Sequence, residues 1–142
     1  MFLQEKGWKD KCLNAIKRPW LILFILYLAF IITSTLFSRS ITNPYKSVFS
    51  DFGVMVNGNV NKEFLENVLL FIPYSFLYLQ AFRPKSSMKN ALVVSALTTV
   101  FVEISQLVLW LGEFQISDLV HNCIGGLIGI GAWSIINSRS KT

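Results

Sequence analysis

Four apolar blocks constrain this chain more than any other feature, because each is long enough to cross a lipid bilayer. Pro19 to Ser38 carries no charged residue, and Asn67 to Phe82 forms a second block. Leu92 to Leu111 is the third, interrupted only by Glu103 and Gln106, and Leu119 to Ile136 is the fourth. A membrane-spanning helix takes about 20 apolar residues, or roughly 17 at the short end. With 53% hydrophobic and 15% charged residues, the 142-residue chain has too little polar surface for a soluble domain. The expected fold is an all-α integral membrane protein, a four-transmembrane-helix bundle. Its helices are expected near 19–38, 63–82, 90–111 and 117–136, with an outer segment at 39–62 and one domain over 1–142. The first block exceeds the roughly 7–15 apolar residues of a signal-peptide core, and no A-x-A-like site follows it, so an uncleaved helix is expected.

Basic residues set the expected orientation. Lys6, Lys9, Lys11, Lys17 and Arg18 precede the first block, and Arg83, Lys85 and Lys89 lie between the second and third. Arg139 and Lys141 follow the fourth, while residues 112–117 contain no Lys or Arg. Lysine and arginine favour the cytoplasmic side, which predicts cytoplasmic N- and C-termini and an outward 112–117 turn. Arg39, Lys46 and Lys62 in the outer segment weaken this bias without reversing it. The formal charge of +5 then reflects topology and attraction to anionic lipid, with no sign of a nucleic-acid partner. Cys12 and Cys123 are expected on different levels of the bilayer and unpaired.

Several local signals place the elements. Residues 1–18 read as a basic, amphipathic lead-in on the inner surface, or as a poorly ordered tail. Pro19 suits the first turn of a helix, where its missing N–H costs nothing. Thr33, Ser34, Thr35 and Ser38 can bond to helix carbonyls or neighbours. Arg39 stands at the outer boundary, either snorkelling to phosphate or facing an outer polar site. Asn43-Pro44 and Asn57-Gly58 are turn signals in an otherwise apolar outer segment. Glu63 and Glu66 open the second helix, where the helix dipole favours acids. Pro73 within it frees the Leu69 carbonyl and can kink the helix.

Asn67, Glu103, Gln106, Asp118 and Asn122 all fall in the outer half of the expected bundle. Glu103 lies roughly 12 Å below Leu111 at 1.5 Å per residue. Asp118, Asn122, Gly125 and Gly129 share an arc of about 60° on the fourth helix. Folding helices three and four about the turn sets Gln106 level with Asn122 and Glu103 level with Gly125. A carboxyl at membrane depth is costly and signals a shared polar site. Structural alternatives stand beside this reading. Amides cross-link membrane helices, Gly125-x-x-x-Gly129 is a helix-packing pattern, and Asp118 can serve helix capping. His121 beside the stripe reads as structural.

No phosphate loop, C-x-x-C, H-E-x-x-H or G-x-S-x-G occurs. A single histidine disfavours a His-based metal site, and neither metal nor cofactor is expected.

Asn67-x-x-Leu70-Phe71-Ile72-Pro73, Glu103-x-x-Gln106 and Asp118-x-x-x-Asn122-x-x-Gly125, in this order, resemble the VanZ-like family of small bacterial membrane proteins. Relatives carry an arginine and an acidic run around the turn, where this chain has Gly112, Gln115 and Ser117. Arg39 matches an arginine common near that position in the family. The resemblance implies association with glycopeptide (teicoplanin-type) resistance in Gram-positive bacteria and residence in the cytoplasmic membrane of the cell envelope.

Three functional readings follow. The first is a non-enzymatic membrane protein whose Arg39, Asn67, Glu103, Gln106, Asp118 and Asn122 engage a lipid-linked cell-wall precursor, a glycopeptide antibiotic or membrane lipid. The second is an intramembrane enzyme using Glu103 as general acid or base. The third is an assembly partner, a homo- or hetero-oligomer joined through Gly125 and Gly129. The first is preferred.

Overall fold

The computed structural model describes residues 2–37, 54–56, 58–83, 86–110 and 114–139. Four helices make up the bundle: α1 (Phe2–Phe37), α2 (Lys62–Ala81), α3 (Met88–Leu109) and α4 (Ile116–Arg139). All four are long and apolar enough to span a membrane, the α1 span running from Arg18 to Leu36. The lead-in differs from expectation. α1 continues from Phe2 through Pro19, so this proline sits inside the helix instead of opening it. Leu, Glu, Lys, Gln and Ala in residues 3–17 are good helix formers and carry the helix beyond the span.

The ends of α1 and α3 meet the beginnings of α2 and α4 at one end of the bundle, called here the turn end. The opposite, loop end holds the α2–α3 connection. At the turn end, β1 (Met55–Val56) pairs antiparallel with β2 (Asn59–Val60) around Gly58, whose φ is 80°. This small hairpin forms at the Asn57-Gly58 turn signal, since a two-residue hairpin turn favours glycine at positive φ. Its strands add to the all-α expectation without altering the bundle. The Asn61 N–H then donates to the Val54 carbonyl at 2.8 Å. The Asn61 side chain caps α2, accepting from the N–H groups of Glu63 (3.0 Å) and Phe64 (3.4 Å). At the same end, α3 closes on Trp110 in the left-handed region (φ 56°), where its N–H donates to the Gln106 carbonyl.

α2 and α4 run parallel and in closest contact, with α1 against α2 and α3 against α4. The register follows from two glycines. A Cβ on Gly125 would overlap the Val68 carbonyl oxygen and stand 3.0 Å from its carbon. A Cβ on Gly129 would do the same at Ile72, 3.1 Å from the carbonyl carbon. One turn of α4 thus matches one turn of α2, backbone against backbone, the close approach that small residues allow in membranes.

The inward face of α3 is small and polar where a soluble core would be apolar. α3 buries Ala91, Ser95, Thr99, Val102, Glu103 and Gln106, and turns Leu97, Phe101 and Val108 outward. Lipid tails solvate apolar side chains as well as a core does, so packing and polar contacts decide which face turns inward. Ser75 and Ser95 share a 2.6 Å hydrogen bond between α2 and α3, and Tyr74 joins Thr98 at 2.6 Å. Phe24, Phe71 and Tyr74 seal α1 against α2. The Tyr27 hydroxyl donates to the Leu70 carbonyl at 2.9 Å, next to the Leu69 carbonyl that Pro73 deprives of its donor. α2 passes Pro73 without a break.

The serine pair is a small, checkable element of this interior. Ser75→Ala or Ser95→Ala alone should destabilise by about 1 kcal/mol, because each strands a buried hydroxyl. The double variant should cost less than the sum of the two. Reversible unfolding in mixed micelles measures all three.

A polar network and cleft at the turn end

Each expected polar residue on α2, α3 and α4 is buried. Relative exposure is 8% for Asn67, 3% for Glu103, 1% for Gln106, 2% for Asp118 and 4% for Asn122. Their partners differ from a simple facing of α3 on α4. The Asn67 amide donates to Asp118 Oδ1 at 2.5 Å, linking the second turn of α2 to the first turn of α4. The Gln106 amide donates to the Thr35 carbonyl of α1 at 3.0 Å. Glu103 Oε2 accepts the backbone N–H of Gln115 at 3.0 Å, so this acid fastens the chain as it leaves the α3–α4 turn. Gly125 and Gly129 face α2, while Gly126 looks toward the Ser75 and Ser95 hydroxyls. Gly125, expected level with Glu103, has the Val68 backbone of α2 as its nearest neighbour. The two glycines leave the α4 backbone open to the Val68 and Ile72 carbonyls of α2.

Arg39, Gly112 and Glu113 lie outside the described residues, as does most of the outer segment. Thr35 and Gln115 enter the network through main-chain groups, which a sequence pattern of side chains does not mark. Asn61 was legible in principle, as an Asn just ahead of an acid-bearing first turn.

His121 is buried beside this network and meets Phe64 edge to face, with ring centroids 4.9 Å apart. Neither of its ring nitrogens has a hydrogen-bond partner. Ser117 Oγ makes a long 3.4 Å contact to Gln115 Oε1. Neither ring nitrogen of His121 is therefore bonded to Ser117 or Asp118. Among the described residues, no three His, Cys, Asp or Glu side chains gather as a metal-ligand set.

A cleft of ≈ 670 Å³ opens between α1 and α2 at this end. Tyr27, Phe30, Leu69 and Leu70 give it apolar walls; Ser34, Thr35 and Asn67 add polar groups. Lys62 and Glu66 also line it, and they pair with each other at 3.4 Å as largely exposed side chains. Such a surface pair contributes little to stability and leaves both charges open to a ligand. The cleft thus joins an apolar groove to a polar end. Asn67 belongs to both the cleft and the buried network, and its partner Asp118 connects it to α4.

The VanZ/LLP1 family model matches residues 20–137, which overlaps all four membrane spans. This chain belongs to the VanZ/LLP1 family. Among curated relatives, Protein VanZ of Enterococcus faecium is 27% identical over 121 residues, covering 84% of this chain and 68% of the relative. No solved structure matches. Membership and the four spans together make the chain a multi-pass membrane protein of VanZ type.

Proposed function

We propose that this VanZ-family protein engages a lipid-linked or cell-wall-related ligand from the turn end of its bundle and lowers susceptibility to teicoplanin-type glycopeptides. The observation that carries the reading is the amphiphilic cleft between α1 and α2. Its apolar walls suit an acyl or prenyl chain, and Asn67, Ser34 and Thr35 suit a hydroxylated or amide-bearing headgroup. Asp118 holds Asn67 by accepting one amide hydrogen, which fixes how the rest of that amide meets a ligand. In this reading the protein lies in the bacterial cytoplasmic membrane with both termini inside, and the turn end faces the outer leaflet, where wall precursors and antibiotic meet.

A binding role is favoured over intramembrane catalysis. Glu103 anchors the turn backbone and is absent from the cleft lining, so it is not placed to exchange protons with a cleft ligand.

The reading is tested by teicoplanin susceptibility in a sensitive Gram-positive host, comparing the wild type, Asn67→Leu and an empty vector at matched membrane levels. Protection by the wild type and its loss in Asn67→Leu is the expected result. Equal protection by both proteins would remove Asn67 and the cleft from the function.

A further inference from the structure

At the loop end, far from the cleft, α2, α3 and α4 converge on Leu79, Ala91 and Ile130, with Trp133 packed against them. The Arg83 guanidinium lies over the Trp133 ring, 4.8 Å from its centroid. Arg83 Nε, Arg83 Nη2 and Trp133 Nε1 are buried and have no hydrogen-bond partner. Ser86 Oγ, in the turn closed by the Ser86 N–H on the Phe82 carbonyl, is in the same condition. The three nitrogens can only donate, and the serine hydroxyl can donate as well. Nε–H and Nη2–H point from the same edge of the guanidinium, the edge that grips two oxygens of one oxyanion.

The electrostatics agree. Burial holds the Arg83 pKa below its ordinary value. The sequence has no acid between Glu66 and Glu103 and none after Asp118; Glu5 and Asp10 precede the α1 span. α3 begins at Met88, one residue beyond its cap Ser87, so the positive end of its dipole opens on the same turn. A buried donor without an acceptor is costly, and several together at one place need a shared acceptor.

We infer that Arg83, Ser86 and Trp133 form a phosphate-binding site at the loop end of the bundle, fitted to the headgroup phosphate of an anionic lipid or to free phosphate. Arg83 grips two phosphate oxygens with its side-on edge. The indole N–H and the serine hydroxyl donate to the remaining oxygens. The Trp133 ring holds the guanidinium plane from below. This site shares no residue with the cleft, so the two proposals stand or fall separately.

The test uses the purified full chain in neutral detergent, reading the unfolding midpoint against added probe. The probes are phosphatidylglycerol, diacylglycerol with the same acyl chains, and inorganic phosphate. The variants are Arg83→Gln, Trp133→Phe and Lys89→Gln. Stabilisation of the wild type by a phosphate-bearing probe, and none by diacylglycerol, is expected. Arg83→Gln should weaken that binding by about tenfold or more, the equivalent of one charge-assisted hydrogen bond. Trp133→Phe keeps a ring under the guanidinium and removes only the N–H, and should weaken binding by about threefold. Lys89→Gln removes the same charge from the same end and should leave affinity unchanged. Stabilisation by phosphatidylglycerol alone assigns the phosphate to lipid; equal Arg83-dependent stabilisation by inorganic phosphate assigns it to a soluble source. Binding that is unchanged in both Arg83→Gln and Trp133→Phe, or diacylglycerol acting as well as phosphatidylglycerol, overturns the site. Should Arg83→Gln fail to fold, Trp133→Phe decides it.

Discussion

Alanine at both Gly125 and Gly129 should strongly destabilise the bundle and lower its folded yield in the membrane. Each new methyl would meet a main-chain carbonyl of α2, at Val68 and at Ile72, and neither carbonyl can swing aside as a side chain would. Relief requires α4 to move off α2 along two consecutive turns, which also pulls Asp118 away from Asn67. Overpacking costs about 1–3 kcal/mol per site, and two such sites consume much of the roughly 5–15 kcal/mol that holds a domain folded. Gly131→Ala is the control, because a Cβ there meets nothing within 4 Å. That variant should be as stable as the wild type or slightly more so, since alanine is the better helix former by about 1 kcal/mol. Folded yield after detergent extraction, followed by unfolding in mixed micelles, separates the variants. A double-alanine protein with wild-type yield and midpoint would contradict the parallel α2–α4 contact.

Asp118→Ala should be the most damaging single change in the polar network. It removes the acceptor at 2.5 Å from the Asn67 amide and strands that amide in a site only 8% exposed. It also removes an acid from the first turn of α4, where the dipole favours one. A loss of roughly 2–3 kcal/mol is expected, in line with hydrogen bonds to charged groups. Asn67→Ala should cost less, because Asp118 keeps its further contacts and its place in the first turn of α4. The double variant should be milder than the sum by roughly 1–2 kcal/mol, near the upper range of membrane double-mutant cycles. Strict additivity in the same unfolding measurement would show that the two side chains do not act as a unit.

How far these features were legible in the sequence depended on whether they were local. The four spans follow from the lengths of the apolar blocks, and Asn57-Gly58 marks a turn, though not the two strands that flank it. Burial of Asn67, Glu103, Gln106, Asp118 and Asn122 was readable because each sits on an inward face by helical spacing. Their partners were not readable. Periodicity says which residues share a face of one helix, but not which neighbour comes to that face. The contact of Gly125 and Gly129 joins segments more than 50 residues apart, and it is decided by which two backbones can approach most closely. The partners of Gln106 and Glu103, the Thr35 carbonyl and the Gln115 N–H, are main-chain groups with no residue-type signature. Pro19 misled for another reason. A proline marks a helix start when the residues before it are poor helix formers, and here they are good ones.

Photo-cross-linking from inside the cleft tests most directly whether it holds a lipid-linked ligand. A photoreactive residue is placed at Ser34, which lines the cleft, and another at Leu97, which faces outward on α3 at 63% exposure. Both proteins are irradiated in living cells of a teicoplanin-sensitive Gram-positive host, and the adducts are identified by mass spectrometry. Adducts of a lipid-linked wall precursor or related amphiphile at Ser34, depleted by Asn67→Leu, with only bulk phospholipid at Leu97, are the expected result. The same bulk phospholipids at both positions, unaffected by Asn67→Leu, would contradict a selective site at the turn end.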